Sequence, residues 1–222
     1  MIGFRILRRA RKVDPEVVAR FRQIPVANVS DSMHRMSAGG ARLRPMHKGG
    51  RMAGPAFTVK TRPGDNLMIH KALDLAEPGD VIVVDAGGDL TNALIGEIMS
   101  TYANARGIAG FVIDGAIRDA DEIRGNDFPV YAAGVTHRGP YKDGPGEINV
   151  PVAIDGMVIE PGDLVLGDGD GILCVPYDAT ASVLAAASEK QKVEAREIGA
   201  AARAALDRAW VDARLRQLGC EM

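Results

Sequence analysis

Two short runs, DVIVVDA at Asp80–Ala86 and IAGFVID at Ile108–Asp114, are β-branched and apolar through their middles and bounded by Gly or Pro. Such runs suit buried parallel strands, which hide both faces. Between them, Leu94, Ile95, Ile98, Met99 and Tyr102 recur at helical spacing from Ala93 to Arg106, and Gly107 offers a C-terminal stop. The segment reads as strand, helix, strand. A right-handed crossover of that kind carries the C-terminal ends of both strands to one sheet edge.

Open α/β sheets bind their ligands at that edge. Gly87-Gly88 and Gly96 let the backbone approach a ligand closely, and the start of the following helix presents unpaired N–H groups to an anion. Arg118 and Asp119 follow the second strand after a three-residue link, Gly115-Ala116-Ile117. A carboxylate able to hold a metal therefore stands beside a guanidinium able to hold an oxyanion. Taken alone, such a pair reads more often as a surface ion pair or the N-cap of the next helix. Its spacing from Gly96-Glu97 and the shared edge add weight to the functional reading.

With 222 residues the chain suits one domain with a substantial core, divided here into a catalytic body, 1–177, and a C-terminal helical extension, 178–222. Lys and Arg number 27 against 29 Asp and Glu, and aromatics are 5%, so neither a phosphate-seeking field nor a base-stacking platform is expected. No nucleic-acid partner follows. Cys174 and Cys220 are too few and too far apart for a disulfide framework, which points to a reducing cytoplasm. No stretch approaches the roughly 18 apolar residues that span a membrane. Arg5, Arg8, Arg9, Arg11 and Lys12 make the first residues a basic arm rather than a targeting signal.

Asp14 as N-cap and Pro15 at the first helical position open a helix to Phe21. A second is expected over Ala27–Met36, an irregular Gly-rich loop over Ala38–Gly54, a strand over Ala56–Thr61 and a helix over Asn66–Leu75. Strands are expected at Phe128–Ala133, Val150–Ile154, Asp163–Leu166 and Gly171–Val175, with turns at Asp155-Gly156 and Pro161-Gly162. From Asp178 to about Leu218 the Ala, Glu, Lys and Arg content favours helix, with Gly199 as the expected break. Early alternation and late succession of strands predict mixed sheets in β/β/α layers.

Other motifs are less productive. Gly167-Asp168-Gly169-Asp170-Gly171 fits no phosphate-loop spacing and reads as a tight turn between strands. His34, His47, His70 and His137 show no ligand spacing and read as surface or structural residues. Cys174 reads as a small buried hydrophobe, and no Gly-x-Ser-x-Gly elbow exists. Asp31 and Glu194 read as a cap and a solvated helix face. Lys60, within AFTVKTR, is the one strand lysine available to a Schiff-base aldolase.

NVSDSM at Asn28–Met33, PGDVIVVDAGGD from Pro78, ALIGEI around Gly96, GFVIDGAIRD ending at Asp119, the segment from Ile148 to Pro176 and KVEAREI from Lys192 together resemble a known family. It is that of the metal-dependent 4-hydroxy-4-methyl-2-oxoglutarate aldolases and the regulators of ribonuclease E activity A. The resemblance implies an α/β fold of the swivelling β/β/α type, assembled as a homotrimer or homohexamer with active sites between subunits. It implies that Asp119 binds Mg2+ or Mn2+, that Arg118 holds the keto or enolate oxygen, and that Gly96, Glu97, Ile98 and Met99 contact the pyruvyl carboxylate. Asp31 and Glu194 match outer acidic positions that tune a proton-carrying water, Glu194 from a neighbouring subunit. The implied activity is lysis of a small 2-oxo acid to pyruvate, by retro-aldol cleavage or oxaloacetate decarboxylation. The alternative is regulation of a ribonuclease by protein binding.

Overall fold

The computed structural model describes residues 1–37 and 39–222. In chain order its elements are β1 (Phe4–Ile6), α1 (Pro15–Phe21), α2 (Val26–Ser32), β2 (Arg44–Pro45), β3 (Met52–Thr61), α3 (Leu67–Leu75), β4 (Val81–Asp85) and β5 (Ala93–Ile95). They continue with α4 (Glu97–Ala105), β6 (Gly110–Ile117), α5 (Ala120–Arg124), β7 (Val130–Val135) and β8 (Gly146–Ile148). The last are β9 (Val152–Ile154), β10 (Met157–Ile159), β11 (Leu164–Asp168), β12 (Gly171–Val175), α6 (Thr180–Ala201) and α7 (Ala209–Gln217).

The two β-branched runs lie side by side at the centre of a ten-stranded mixed sheet, along the path β1-β8-β3-β4-β6-β7-β2. β3, β4, β6 and β7 are mutually parallel. Alternation sends successive side chains to opposite faces. Ile82 and Val84 join Ile69, Leu94, Phe111 and Ile113 under the helices α3 to α5. Val81 and Val83 face the other way, against Val112, Tyr131, Val165 and Cys174. All four valine and isoleucine side chains of β4 are fully buried, each contributing about 1.5–3 kcal/mol. A third cluster seats α1, α2 and the start of α6 on β11 and β12 through Phe21, Val29, Leu166, Leu173 and Leu184. The result is the mixed-sheet α/β domain expected from the sequence.

β3 belongs to two layers at once. Its first half, Met52–Pro55, pairs antiparallel with β11, and its second half, from Ala56, pairs parallel with β4. Pro55, the last residue of β3 in register with β11, lies at this switch. The Gly169-Asp170 turn joins β11 to β12 in an antiparallel hairpin, as read from the sequence.

Several expectations are corrected. The second helix is only Val26–Ser32, because His34 and Arg35 take left-handed backbone (φ 56° and 61°) and end it. The Ala38–Gly54 loop contains β2 and the start of β3, with Ala38 itself outside the described residues. Gly199 lies within α6 instead of breaking it, and the chain turns at 202–208. Val183, Leu184 and Ala187 anchor α6 to the body, whereas α7 buries no residue.

The basic arm packs on the body. β1 adds a parallel edge strand to β8. Arg5 pairs with Glu147 at 2.6 Å, Arg9 with the fully buried Asp80 at 2.8 Å, Arg11 with Asp178 at 2.9 Å, and Lys12 with Glu77. Among the described residues no helix is long and apolar enough to cross a membrane.

His47, read as surface or structural, is structural and buried, 5.2 Å ring to ring from Tyr131, with Nε2 unpartnered. Burial holds its pKa below the ordinary 6.5, against the opposing backbone contact with Val130. Burial also lowers His70, with help from Lys142. The unfolded chain therefore takes up these protons first as pH falls. Their contribution is fully present above 6.5 and is lost as pH drops through the lowered folded values. The thermal midpoint is expected to fall between about pH 7 and pH 5, and His47→Phe to flatten part of that slope in a calorimetric series. An unchanged slope in that variant would remove His47 as a cause.

Candidate functional site

The sequence placed Gly96 inside a helix and Arg118 beyond a short link, and both placements change. β6 continues through Gly115–Ile117, and Ala93–Ile95 is a strand, β5, which pairs parallel with that continuation (Ala93 with Ala116, Ile95 with Ile117). The β6 register against β7 shifts between Ile113 and Ala116. Parallel strands end at the same edge, so Gly96-Glu97 and Arg118-Asp119 leave the sheet side by side. The Arg118 N–H donates to the Ile95 carbonyl at 3.0 Å.

Asp119 takes a left-handed conformation, φ 55° and ψ 44°. In a non-glycine residue this costs on the order of 1 kcal/mol. The conformation directs its carboxylate to α4, where Oδ2 accepts the Glu97 N–H at 2.9 Å. Gly96, at the N-cap of α4, has no side chain to cap the helix, so Asp119 does it from the turn after β6. Arg118 Nε lies 3.6 Å from the same oxygen. A Cβ added at Gly96 would overlap Asp119 Oδ2 and lie 3.0 Å from Arg118 Cγ. Only glycine leaves the pair this arrangement.

These groups line a cleft of about 270 Å³ between the α4 start, α3 and the segment holding Gly139, Pro140 and Lys142. The first-turn amides of Ile98 and Met99 have no intrahelical acceptor, so the positive end of the α4 dipole would favour an anion there. Ile98 is 80% exposed at the cleft and Met99 is buried beneath it. Asn66 and His70 of α3 complete the wall, with Asn66 Nδ2 donating to the Leu94 carbonyl at 2.9 Å.

The structure thus brings together Gly96, Glu97, Ile98, Met99, Arg118 and Asp119. It does not bring Asp31 or Glu194 to this cleft. Asp31 is not a cap: it sits in the last turn of α2, where Pro25 is the N-cap, and pairs with Arg35 at 2.6 Å and Lys190 at 2.9 Å. Those two cations hold its carboxyl below the usual range. Glu194, exposed on α6 as expected, accepts from Asn28 Nδ2 at 2.5 Å. Both therefore mark the α2–α6 surface. Sequence reasoning missed Asn66, His70 and Lys142 as cleft residues. Lys142 lies in the loop preceding β8, whereas Asn66 and His70 carried no sequence signal.

Asp119 is the one carboxylate side chain lining the cleft, and its Oδ1 has no hydrogen-bond partner among the described residues. No group of three or more His, Cys, Asp or Glu suited to a metal gathers among the described residues. One hard oxygen donor in an open cleft fits Mg2+ or Mn2+, which take one or two carboxylates and complete their shell with water and substrate oxygens. It does not fit zinc, which favours nitrogen and sulfur ligands in a closed set.

Residues 26–174 match the family model described as RraA-like, Aldolase/RraA. A protein of Halalkalibacterium halodurans named "Putative 4-hydroxy-4-methyl-2-oxoglutarate aldolase" is 42% identical over 183 residues, 82% of this chain and 87% of its own length. An uncharacterized protein from Pseudomonas syringae pv. tomato superposes with a TM-score of 0.78 at 29% identity, covering 86% of this chain and 94% of that one. The RNA-processing inhibitor RraA from Thermus thermophilis superposes with a TM-score of 0.63 at 31% identity, covering 68% and 92%. With a matching model over most of its length and a relative this similar, the chain belongs to the RraA-like family of aldolases and RraA proteins.

Proposed function

We propose that this protein is a divalent-metal-dependent lyase that releases pyruvate from 4-hydroxy-4-methyl-2-oxoglutarate or 4-carboxy-4-hydroxy-2-oxoadipate, and that it also decarboxylates oxaloacetate. The observation that carries the proposal is Asp119 Oδ2 on the Glu97 N–H, beside Arg118, at the open start of α4. The aldolase name of the 42% identical relative supports the same reaction class.

The Ile98 and Met99 amides hold the C1 carboxylate of the substrate, and the Arg118 guanidinium sits at the C2 oxygen. When bound on Asp119, Mg2+ or Mn2+ supplies a Lewis acid to the 2-oxo acid. A water tuned by Asp31 and Glu194 takes the C4 hydroxyl proton as the C3–C4 bond breaks, leaving a carbonyl at C4. The electron pair of that bond moves onto the C2 carbonyl as the enolate of pyruvate, and Arg118 stabilises the negative charge that grows there. The same water returns the proton to C3. In decarboxylation the same electron pair comes from the bond to departing CO2. Lys142 gives the substrate's second carboxylate a cationic partner on the same cleft.

Asp31 and Glu194 enter this scheme from a second copy of the chain, in a trimer or hexamer. In support, both sit off their own cleft, on α2 and α6, and α6 buries nothing beyond Ala187. A Schiff-base route has less support, since Lys60 is exposed on β3 opposite Asp85 and lines no part of the cleft.

Protein stripped with EDTA is expected to release no pyruvate from either hydroxy acid, and to regain full turnover with Mg2+ or Mn2+. Metal-independent release, or a pyruvate adduct trapped by borohydride, overturns the proposal. A second reading, binding and restraint of a ribonuclease, is favoured by the similarity to the RNA-processing inhibitor RraA. Co-purification with the nuclease by a protein lacking lyase activity would select it.

A further inference from the structure

The Asp65 side chain is fully buried and accepts four hydrogen bonds. Oδ1 accepts the Leu67 N–H at 2.9 Å. Oδ2 accepts the N–H groups of Asp143 at 2.7 Å and Gly144 at 2.9 Å, and the Arg62 guanidinium at 3.2 Å. A carboxylate so satisfied is stable without water, and its bonds are of the strong, charge-assisted kind.

Its donors come from both sides of one cleft wall. Leu67 opens α3, which carries His70 into the cleft, while Asp143 directly follows Lys142. The backbone ties the same two segments: the Tyr141 N–H donates to Gly64 O at 2.9 Å and the Asn66 N–H to Tyr141 O at 3.0 Å. At the other end of the segment, Asn92 Nδ2 donates to Gly139 O at 2.6 Å. Lys142 therefore projects from a strap anchored on both sides of it. A lysine loses much rotamer freedom when it grips a ligand, and an anchored backbone lessens what remains to be ordered.

We propose that Asp65 is a positioning residue, which by holding the 141–144 strap sets Lys142 on the cleft to take the second carboxylate of a 2-oxo dicarboxylate. This rests on the reading of the cleft as a 2-oxo acid site. It assigns selectivity for dicarboxylates over pyruvate to a side chain that touches neither.

The test compares two uncleaved ligands, pyruvate and 2-oxoglutarate, by calorimetry on the full-length magnesium-loaded protein. Wild type binds 2-oxoglutarate more tightly. Asp65→Asn and Lys142→Ala each reduce that preference about tenfold, while pyruvate affinity stays within about twofold. The double variant falls no further than Lys142→Ala alone, because the two residues act as one. An equal loss for both ligands in Asp65→Asn marks a merely structural role and overturns the proposal. So do an unchanged ratio, additive effects, or a wild type without the preference. Should Asp65→Asn not fold, Arg62→Ala removes one of the four donors and should lower the ratio about two- to threefold; no change there also overturns it. A wild type that prefers the dicarboxylate yet releases no pyruvate from the hydroxy acids sinks the lyase reading and leaves the positioning role standing.

Discussion

Asp119→Asn is expected to lower kcat/KM for pyruvate release by about 10³-fold, several kcal/mol of transition-state stabilisation, with the thermal midpoint moving by no more than a few degrees. Asparagine tolerates the left-handed backbone at this position (φ 55°) better than most residues and keeps an oxygen for the Glu97 N–H. What it loses is the charge that would hold a divalent cation. Asp119→Ala removes the cap as well and leaves a strained alanine, so it should be equally inactive and less stable. Arg118→Ala, which takes away the donor beside that carboxylate, should cost about 10²- to 10³-fold in kcat. Steady-state pyruvate release at saturating magnesium, with unfolding curves alongside, measures all three. Wild-type turnover in Asp119→Asn would show that the assigned site is wrong.

Gly96→Ala should be nearly as damaging although it deletes nothing. The Gly96 backbone (φ −151°, ψ −163°) is extended and open to any residue, so alanine brings no backbone strain. Its methyl group would instead occupy the place of Asp119 Oδ2 and crowd the Arg118 stem. The carboxylate must then leave the Glu97 N–H, displacing the proposed metal ligand by roughly 1 Å, a shift that costs about 10²-fold in rate. The expected result is a folded protein with kcat/KM down about 10²-fold and weaker magnesium binding. A Gly96→Ala variant with unaltered turnover would show that this close approach is incidental.

The central parallel strands were legible because burial on both faces leaves β4 and β6 little besides β-branched residues, and α1 because Asp14-Pro15 is a local device. β5 was not legible. Leu94 and Ile95 continue the helical period of Ile98, Met99 and Tyr102, and only pairing with β6 makes them strand. The apolar stripe itself misled, since Ile98 and Tyr102 are exposed in the folded chain. β2 and the start of β3 hide among Gly, Pro and Arg, and become strand through β7 and β11. Gly199 lies within α6 because a glycine ends a helix only when it adopts positive φ, which this one does not.

At the site, adjacency in sequence pointed to Arg118 and Asp119, spacing and the shared edge pointed to Gly96-Glu97, and the family pattern added Ile98 and Met99. His70, before β4 in the chain, and Lys142, after β7, reach the same cleft, a meeting that no local pattern encodes. The ion-pair partners of the basic first residues were not legible for a similar reason: from Glu77 to Asp178, they are distant in sequence.

β3 gives the molecule a mechanical property beyond its place in the core. One unbroken backbone serves as a ladder partner for β11 in its first half and β4 in its second, so a shift of β3 along its own axis is transmitted to both layers. The hairpin that carries Cys174 is thereby tied through β3 to the strands that lead to Asp119, and a destabilising change in either layer is expected to be felt at the cleft.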